Sequence, residues 1–412
     1  MPRPLRIVYA AGPGDVIGTY RHWKEGRDDP AQVAITYSGQ FYSLCKDLGA
    51  SGYVISYCPR AERIVDGPFW IEHRPIRFGK GPGWLYHLGQ LWYGLRLTLS
   101  AVRFHADVLI VSGGAHWFSL GLLPTLGVKV VPTLHCVLWR KGPPPGGKLA
   151  QFIRSLNSSF FRHRTAGVLS LSNDITEQLA LLLRGTPKAI VPFLPNYRPE
   201  SFAGMPALSA PPPFRVFFAG RIERNKGVFD LLAIAQRFAA EGREDIEFDL
   251  CGDGSKLGEL REAVQSAGVG GRFRCHGHCD KAKMRAMYES AHAVIAPTTS
   301  DFIEGFNKVV AEGVLAGKPV ITSTVCPALE YVRDAVVEVP VDDVRAYGDA
   351  ILRLRDDAAL YQLKRQGCAV AGAPFYDVQR GWGSAVKQML AITLAKALRP
   401  VTSPAGLPAA SE

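Results

Sequence analysis

EGFNKVVAEGVLAGKPVITS, residues 304–323, reads as a turn, a short helix and a strand in immediate succession. Asn307 is suited to cap a helix, Val310/Val314 and Ala311/Leu315 repeat at i,i+4, and Gly317 is a natural C-terminal stop. Pro319 then forbids continuation and opens the apolar run PVITS. A helix feeding directly into a β-branched strand is the unit from which doubly wound α/β sheets are assembled. Local preference does not require Glu304 or Glu312. Acidic residues near a helix N-terminus favour its dipole, and that bland reading stands beside a second one, a carboxylate pair kept for a ligand.

Outward from this stretch the same alternation recurs. LRIVYAAG, VISY, FWIEHRPI, ADVLIVSGG, VKVVPTLHC, AGVLSLSN and AIVPFLPN precede it in the first half. FRVFFAGR, IEFDLCGDG, RFRCHGH, HAVIAPTT, PVITS and VVEVP make up the second. Several are continuous β-branched runs, as strands buried on both faces should be. The Pro/Ala/Ser-rich stretch 196–213 separates the two sets, so the sequence predicts two doubly wound parallel sheets, residues 1–195 and 214–373. The tail 399–412 lacks periodicity and is expected to be disordered.

The 412 residues carry a formal charge of +11, unevenly held. Residues 1–212 have 23 Lys and Arg against 12 Asp and Glu, whereas 213–412 have 25 against 25. An anionic partner for the first half is implied, nucleic acid or a membrane surface being the usual ones. The segment WLYHLGQLWYGLRLTLSAV (84–102) contains His87, Gln90 and Arg96 and is too polar to span a bilayer; a buried or surface-lying helix fits better. With Arg74, Arg77, Lys80, Arg96 and Arg103 nearby, it suits an anionic membrane. No signal peptide opens the chain, so a cytoplasmic location is expected, peripheral on the inner face of the membrane. Eight scattered cysteines are expected to stay reduced. CHGHC (275–279) packs four metal-type ligands too closely for a tetrahedral site, because strand side chains alternate faces.

Parallel sheets bind ligands at the carboxyl ends of their strands. The first domain's opening turn, AAGPGDVIG, brings Gly12 and Gly14 there, but its spacing is GxGxxxG rather than the dinucleotide fingerprint, which disfavours a nicotinamide enzyme. The second domain opens with FFAGRIERNKGVFDLL, where Arg221 and Lys226 stand before a helix and are equipped to hold two phosphates. A solvated surface pair is the plain alternative.

GRIERNKG (220–227), CGDGSKLGEL (251–260), HGHCDKAKMRAMYESAHAVIAPTTS (276–300) and EGFNKVVAEGVLAGKPVITS resemble, in order and spacing, the nucleotide-binding domain of retaining GT-B glycosyltransferases of family 4. The likeness is good over roughly 214–340. It implies the GT-B fold: two Rossmann-like domains facing across a cleft, with a final helix, 374–398, crossing back to the first. Glu304 and Glu312 match that family's E-x7-E motif, in which the first glutamate contacts hydroxyls of the transferred sugar and the second the ribose of the nucleotide. The amides of Phe306, Asn307 and Lys308 would lie against the diphosphate, which Arg221 and Lys226 would also hold. His135, ending VVPTLH, matches a histidine near the donor sugar. Asn307-Lys308 replace the usual Gly-Leu of the turn, and Asn tolerates unusual backbone angles.

The resemblance implies transfer of a sugar with retention from a nucleotide-diphosphate donor to a glycan or lipid-linked acceptor, in polysaccharide or glycolipid synthesis. It implies no cofactor or metal, and the chain has no D-x-D. Nucleic acid is not among the implied partners. A nucleotide-sugar epimerase on the same architecture and a catalytically silent sugar-binding scaffold are the alternatives.

Overall fold

A computed structural model of the chain describes residues 3–75, 83–208 and 213–395. The expected tail, Arg77 and Lys80 lie outside the described residues.

The first sheet contains β1 (Arg6–Pro13), β2 (Ser51–Tyr57), β3 (Glu62–Asp66), β4 (Phe69–His73), β5 (Val108–Val111), β6 (Lys129–Leu134), β7 (Val168–Ser170) and β8 (Ile190–Pro192). Its order is β3-β4-β2-β1-β5-β6-β7-β8. The central strands are the continuous apolar runs of the sequence: Ile7 to Ala10 of β1 and all of β5 are buried, as helices on both faces demand. One strand departs from the all-parallel expectation. β3 pairs antiparallel with β4 across Gly67, whose φ of +54° favours glycine, and this hairpin forms the edge of the sheet.

The second sheet contains β9 (Phe214–Ala219), β10 (Ile246–Cys251), β11 (Phe273–Gly277), β12 (Ala293–Ala296), β13 (Val320–Ser323) and β14 (Val336–Val339), all parallel. The order β11-β10-β9-β12-β13-β14 reverses direction between β9 and β12, which makes that junction the topological switch point.

The chain returns to the first domain at its end. Two 3-10 turns, Ala373–Phe375 and Val378–Arg380, occupy the start of the expected terminal helix, which begins at Trp382 and is described to Ala395; residues 396–398 of the expectation lie outside the described residues. Asn196 ties this crossing down by donating through Nδ2 to the carbonyls of Phe375 and Asp377, both at 3.1 Å. Trp382 is fully buried, and its indole N–H donates to Thr133 Oγ1 at 2.9 Å. The helix packs on β7, β8 and the helix Tyr37–Leu48, so the first domain's core is completed by the last described residues.

The helix Gly83–Arg103 buries Tyr93, Gly94, Leu97, Thr98 and Ala101 against the first domain. Its other face exposes Trp84, Leu88, Trp92, Leu95, Leu99 and Val102. No described helix is long and apolar enough to cross a membrane. The cationic flank expected here is partly withdrawn. Arg74 is only 3% exposed and donates to Glu72 Oε1 at 2.7 Å and Ser100 Oγ at 2.9 Å, so it neutralises a carboxylate inside the fold instead of facing a surface. Arg96 also leans toward Glu72, at 4.0 Å.

Candidate active site

The loops that leave β9 and β12 meet at the switch point. Gly227 begins the helix Val228–Ala240 with φ +72°, and a Cβ there would lie 2.1 Å from the Pro297 carbonyl oxygen. Only glycine lets the two loops touch. This approach brings Lys226 into an ion pair with Glu304, both side chains less than one-sixth exposed. Lys226 Nζ also stands 3.8 Å from the centre of the Phe302 ring, and the Arg221 guanidinium carbon 5.4 Å from it. Phe302 thus attracts both cations through the negative face of its ring. It escaped the sequence reading, although an aromatic two residues before Glu304 was a visible signal.

Asn307 adopts φ +53°, the left-handed conformation that asparagine tolerates, and occupies the cap position of the helix Lys308–Leu315. Its side chain makes no capping bond, contrary to expectation. Nδ2 points instead to Thr298 Oγ1 at 3.4 Å, because the left-handed backbone turns the amide toward the β12 loop. The helix therefore starts without a side-chain cap, leaving N–H groups that an anion can satisfy. The Phe306 side chain is core, packed with Tyr331 and Phe375. Lys308 crosses the cleft and places Nζ 5.1 Å from the Tyr37 ring centre. Burial lowers its pKa, and Glu312 one turn along opposes that.

Glu312 is 8% exposed, with Oε2 accepting from Tyr288 OH at 2.9 Å and Oε1 from Tyr197 OH at 3.3 Å. Burial raises its pKa, while Tyr288, Lys308 and Tyr197 counter the rise. The two tyrosines come from 24 and 115 residues away. Each carboxylate oxygen can still accept a further hydrogen bond.

The first domain approaches through the end of β6. A Cβ on Gly305 would lie 1.7 Å from the His135 carbonyl oxygen and 2.9 Å from Cys136 Cα, so the turn holding Glu304 rests on the opposite domain's backbone. Cys136, exposed by area, faces the cluster: its thiol pKa is raised by desolvation and by Glu304, against lowering by Lys226 and Arg221. The His135 ring sits between Tyr37 and Phe193, centroids at 4.5 and 5.3 Å, with Nε2 3.2 Å from Thr133 Oγ1 and a buried Nδ1 lacking a hydrogen-bond partner among the described residues. Gly12 lies at the end of β1 and Gly14 just beyond it, two strands from β6, or about 10 Å at the usual strand spacing. The Gly14 amide is bonded to the Tyr57 carbonyl at 3.2 Å. In the CHGHC run, His276 turns to Asp249 Oδ1 at 2.6 Å.

Burial, aided by Lys308, lowers the His135 pKa from 6.5 to about 3. A depressed folded-state value contributes stability above the unfolded pKa that is lost as pH falls toward the folded one, here between about 6.5 and 3, at up to about 1.4 kcal/mol per pH unit. Urea midpoints at pH 7.0 and about 4.5 should therefore fall less for His135→Gln than for the native chain. Equal falls would remove this linkage.

Two doubly wound domains facing each other across a cation–carboxylate cluster at a switch point have the architecture of the GT-B fold. Residues 207–367 match the family described as glycosyl transferases group 1, so the second domain is a group 1 glycosyltransferase domain. The 2-deoxystreptamine N-acetyl-D-glucosaminyltransferase of Streptomyces fradiae is 26% identical over 298 residues, 65% of this chain and 68% of that one. Sucrose-phosphate synthase from Thermosynechococcus elongatus superposes with a TM-score of 0.67 at 17% identity, covering 96% of this chain and 100% of its own. HepE from Anabaena, solved with UDP and glucose, gives 0.64 at 16% identity over 95% and 99%.

Proposed function

We propose that the chain is a retaining transferase that takes a sugar from a nucleoside-diphosphate donor bound at the β9/β12 switch point. The observation that carries this reading is the Lys226–Glu304 pair beside Arg221 and an uncapped helix. A diphosphate would draw both cations and the amides of Phe306, Asn307 and Lys308 to itself, freeing Glu304 for sugar hydroxyls. Glu312, oriented by its tyrosines, would accept from the ribose. The orphaned His135 Nδ1 is a partner for an outer sugar hydroxyl, and Gly12 and Gly14 would border the sugar from the first domain. The leaving phosphate would take the acceptor proton as the bond to the sugar breaks, with Lys226 and Arg221 stabilising the charge that develops. No step needs a metal or cofactor.

The test separates the two glutamates. Glu312→Gln should weaken calorimetric binding of the free nucleoside diphosphate by about tenfold, as loss of a charge-assisted bond does. Glu304→Gln should retain that binding and lose transfer. Equal loss of affinity in both would refute the division of roles. The anomeric configuration of the product, read by NMR, tests retention.

We also propose that the acceptor is a glycan or lipid-linked, and that the chain attaches peripherally to a membrane through the helix Gly83–Arg103. Exposed large apolar residues at 84, 88, 91, 92, 95, 99 and 102 form one continuous stripe at helical spacing, with Tyr86 alone on another face. An apolar stripe of this length marks a contact surface. With Arg74 sequestered, attachment should depend more on this stripe than on charge. Trp84→Ser with Trp92→Ser should lower the fraction co-sedimenting with anionic vesicles at least about fivefold. Undiminished sedimentation would end the membrane reading.

A further inference from the structure

A cavity of about 750 Å³ lies in the first domain, between the first turns of the helix Gly83–Arg103 and the helix Lys148–His163. Trp117, Leu138, Trp139, Leu149, Ile153 and Phe161 give it apolar walls. Its cations are Lys148 and Arg154, and none of its lining residues is an aspartate or glutamate. The nucleotide donor has no use for such a space, which is apolar and belongs to the other domain.

Resting on the function proposed above, we propose that this cavity seats the apolar chain of a lipid-phosphate acceptor, with Lys148 and Arg154 engaging its phosphate. Three observations converge on that occupant. The volume and lining suit a hydrocarbon chain, and the cations without opposing carboxylates suit a phosphate. Tyr86 and Leu149, which both line the cavity, are 50% and 59% exposed, so the cavity opens to the surface past apolar side chains through which a hydrocarbon chain can enter. The wall also leads to the reaction centre. Leu138 and Trp139 follow His135 and Cys136 by three residues, so they stand at most about 10 Å of chain from the residues facing Glu304. Gln178 fixes this wall: its Oε1 accepts from the Leu138 and Trp139 amides at 2.6 and 3.2 Å, and its Nε2 donates to the Trp139 carbonyl at 2.8 Å. A phosphate held at the rim would leave its head group within reach of the donor sugar.

Farnesyl phosphate, used as a monomeric probe in the absence of vesicles, tests the assignment by quenching of tryptophan fluorescence. Saturable quenching is expected for the native chain, with farnesol binding more weakly and inorganic phosphate not measurably. Ile153→Trp and, independently, Ala150→Phe fill the cavity and should abolish probe binding. Lys148→Ala with Arg154→Ala should weaken farnesyl phosphate about tenfold and leave farnesol unchanged. Nucleoside-diphosphate binding in the same variants reports folding and the donor site separately. Probe affinity unaltered by both cavity-filling variants, with nucleotide binding intact, would overturn the proposal. Failure of nucleotide binding in the native chain would instead strike the donor reading. Equal affinity for farnesyl phosphate and farnesol would remove the phosphate from the acceptor.

Discussion

Lys226→Ala is expected to lower kcat/KM by about 2 to 4 kcal/mol of transition-state stabilisation, a loss of about thirtyfold to a thousandfold. Two causes act together. The ammonium that would meet the developing phosphate charge is gone, and Glu304 loses the partner that holds it in the little-exposed loop. Arg221→Ala removes a cation that stacks on Phe302 and forms no ion pair among the described residues, so its loss should show the phosphate term more cleanly. A double-mutant cycle of Lys226→Ala with Glu304→Gln separates the causes: a coupling of at least about 1 kcal/mol measures the pair itself. Arg221→Ala should keep its melting temperature to within about 3 °C, since its side chain stands on a loop, whereas Lys226→Ala should lower it by leaving Glu304 unpaired in a little-exposed site. Wild-type turnover by either would defeat the phosphate assignment.

The cluster was legible because its members sit at fixed distances from strand ends. Arg221 and Lys226 follow β9 and Glu304 follows β12, and strand order alone makes those two loops neighbours. Residues recruited from elsewhere left no such trace. Tyr197 belongs to the inter-domain stretch and Tyr288 to the helix Lys281–Ser290, yet both end on Glu312. Gln178 and Cys136 are similarly placed by tertiary packing that no local period records. The edge strand β3 could have been found, because Asp66-Gly67 between two β-rich runs is a hairpin signal. Arg74 illustrates the opposite error. Counting charge in sequence gave it to a surface, whereas Glu72, two residues back, holds it inside. A net charge reports how many cations a domain has and nothing about which of them are already paired.

Gly305→Ala is expected to cost at least about a hundredfold in kcat/KM while leaving both sheets folded. The added Cβ would lie 1.7 Å from the His135 carbonyl oxygen, and main chain cannot rotate aside as a side chain can. The two domains must then part at this contact or the Glu304 turn must shift. Either response moves Glu304 and Lys226 relative to Cys136 and His135, and misplacing a reacting group by about 1 Å can cost two orders of magnitude. Binding of the nucleoside diphosphate should suffer much less, because Arg221, Lys226 and Glu312 all belong to the second domain, and the far-ultraviolet circular dichroism should be unchanged. A second measurement tells separation from misfolding. Cys136, less enclosed once the domains part, should react faster with a thiol reagent in Gly305→Ala, since solvation lowers its pKa toward the ordinary value. Native activity with native Cys136 reactivity would show that the cleft absorbs a methyl group at no cost, and the close contact between Gly305 and His135 would then have no part in catalysis.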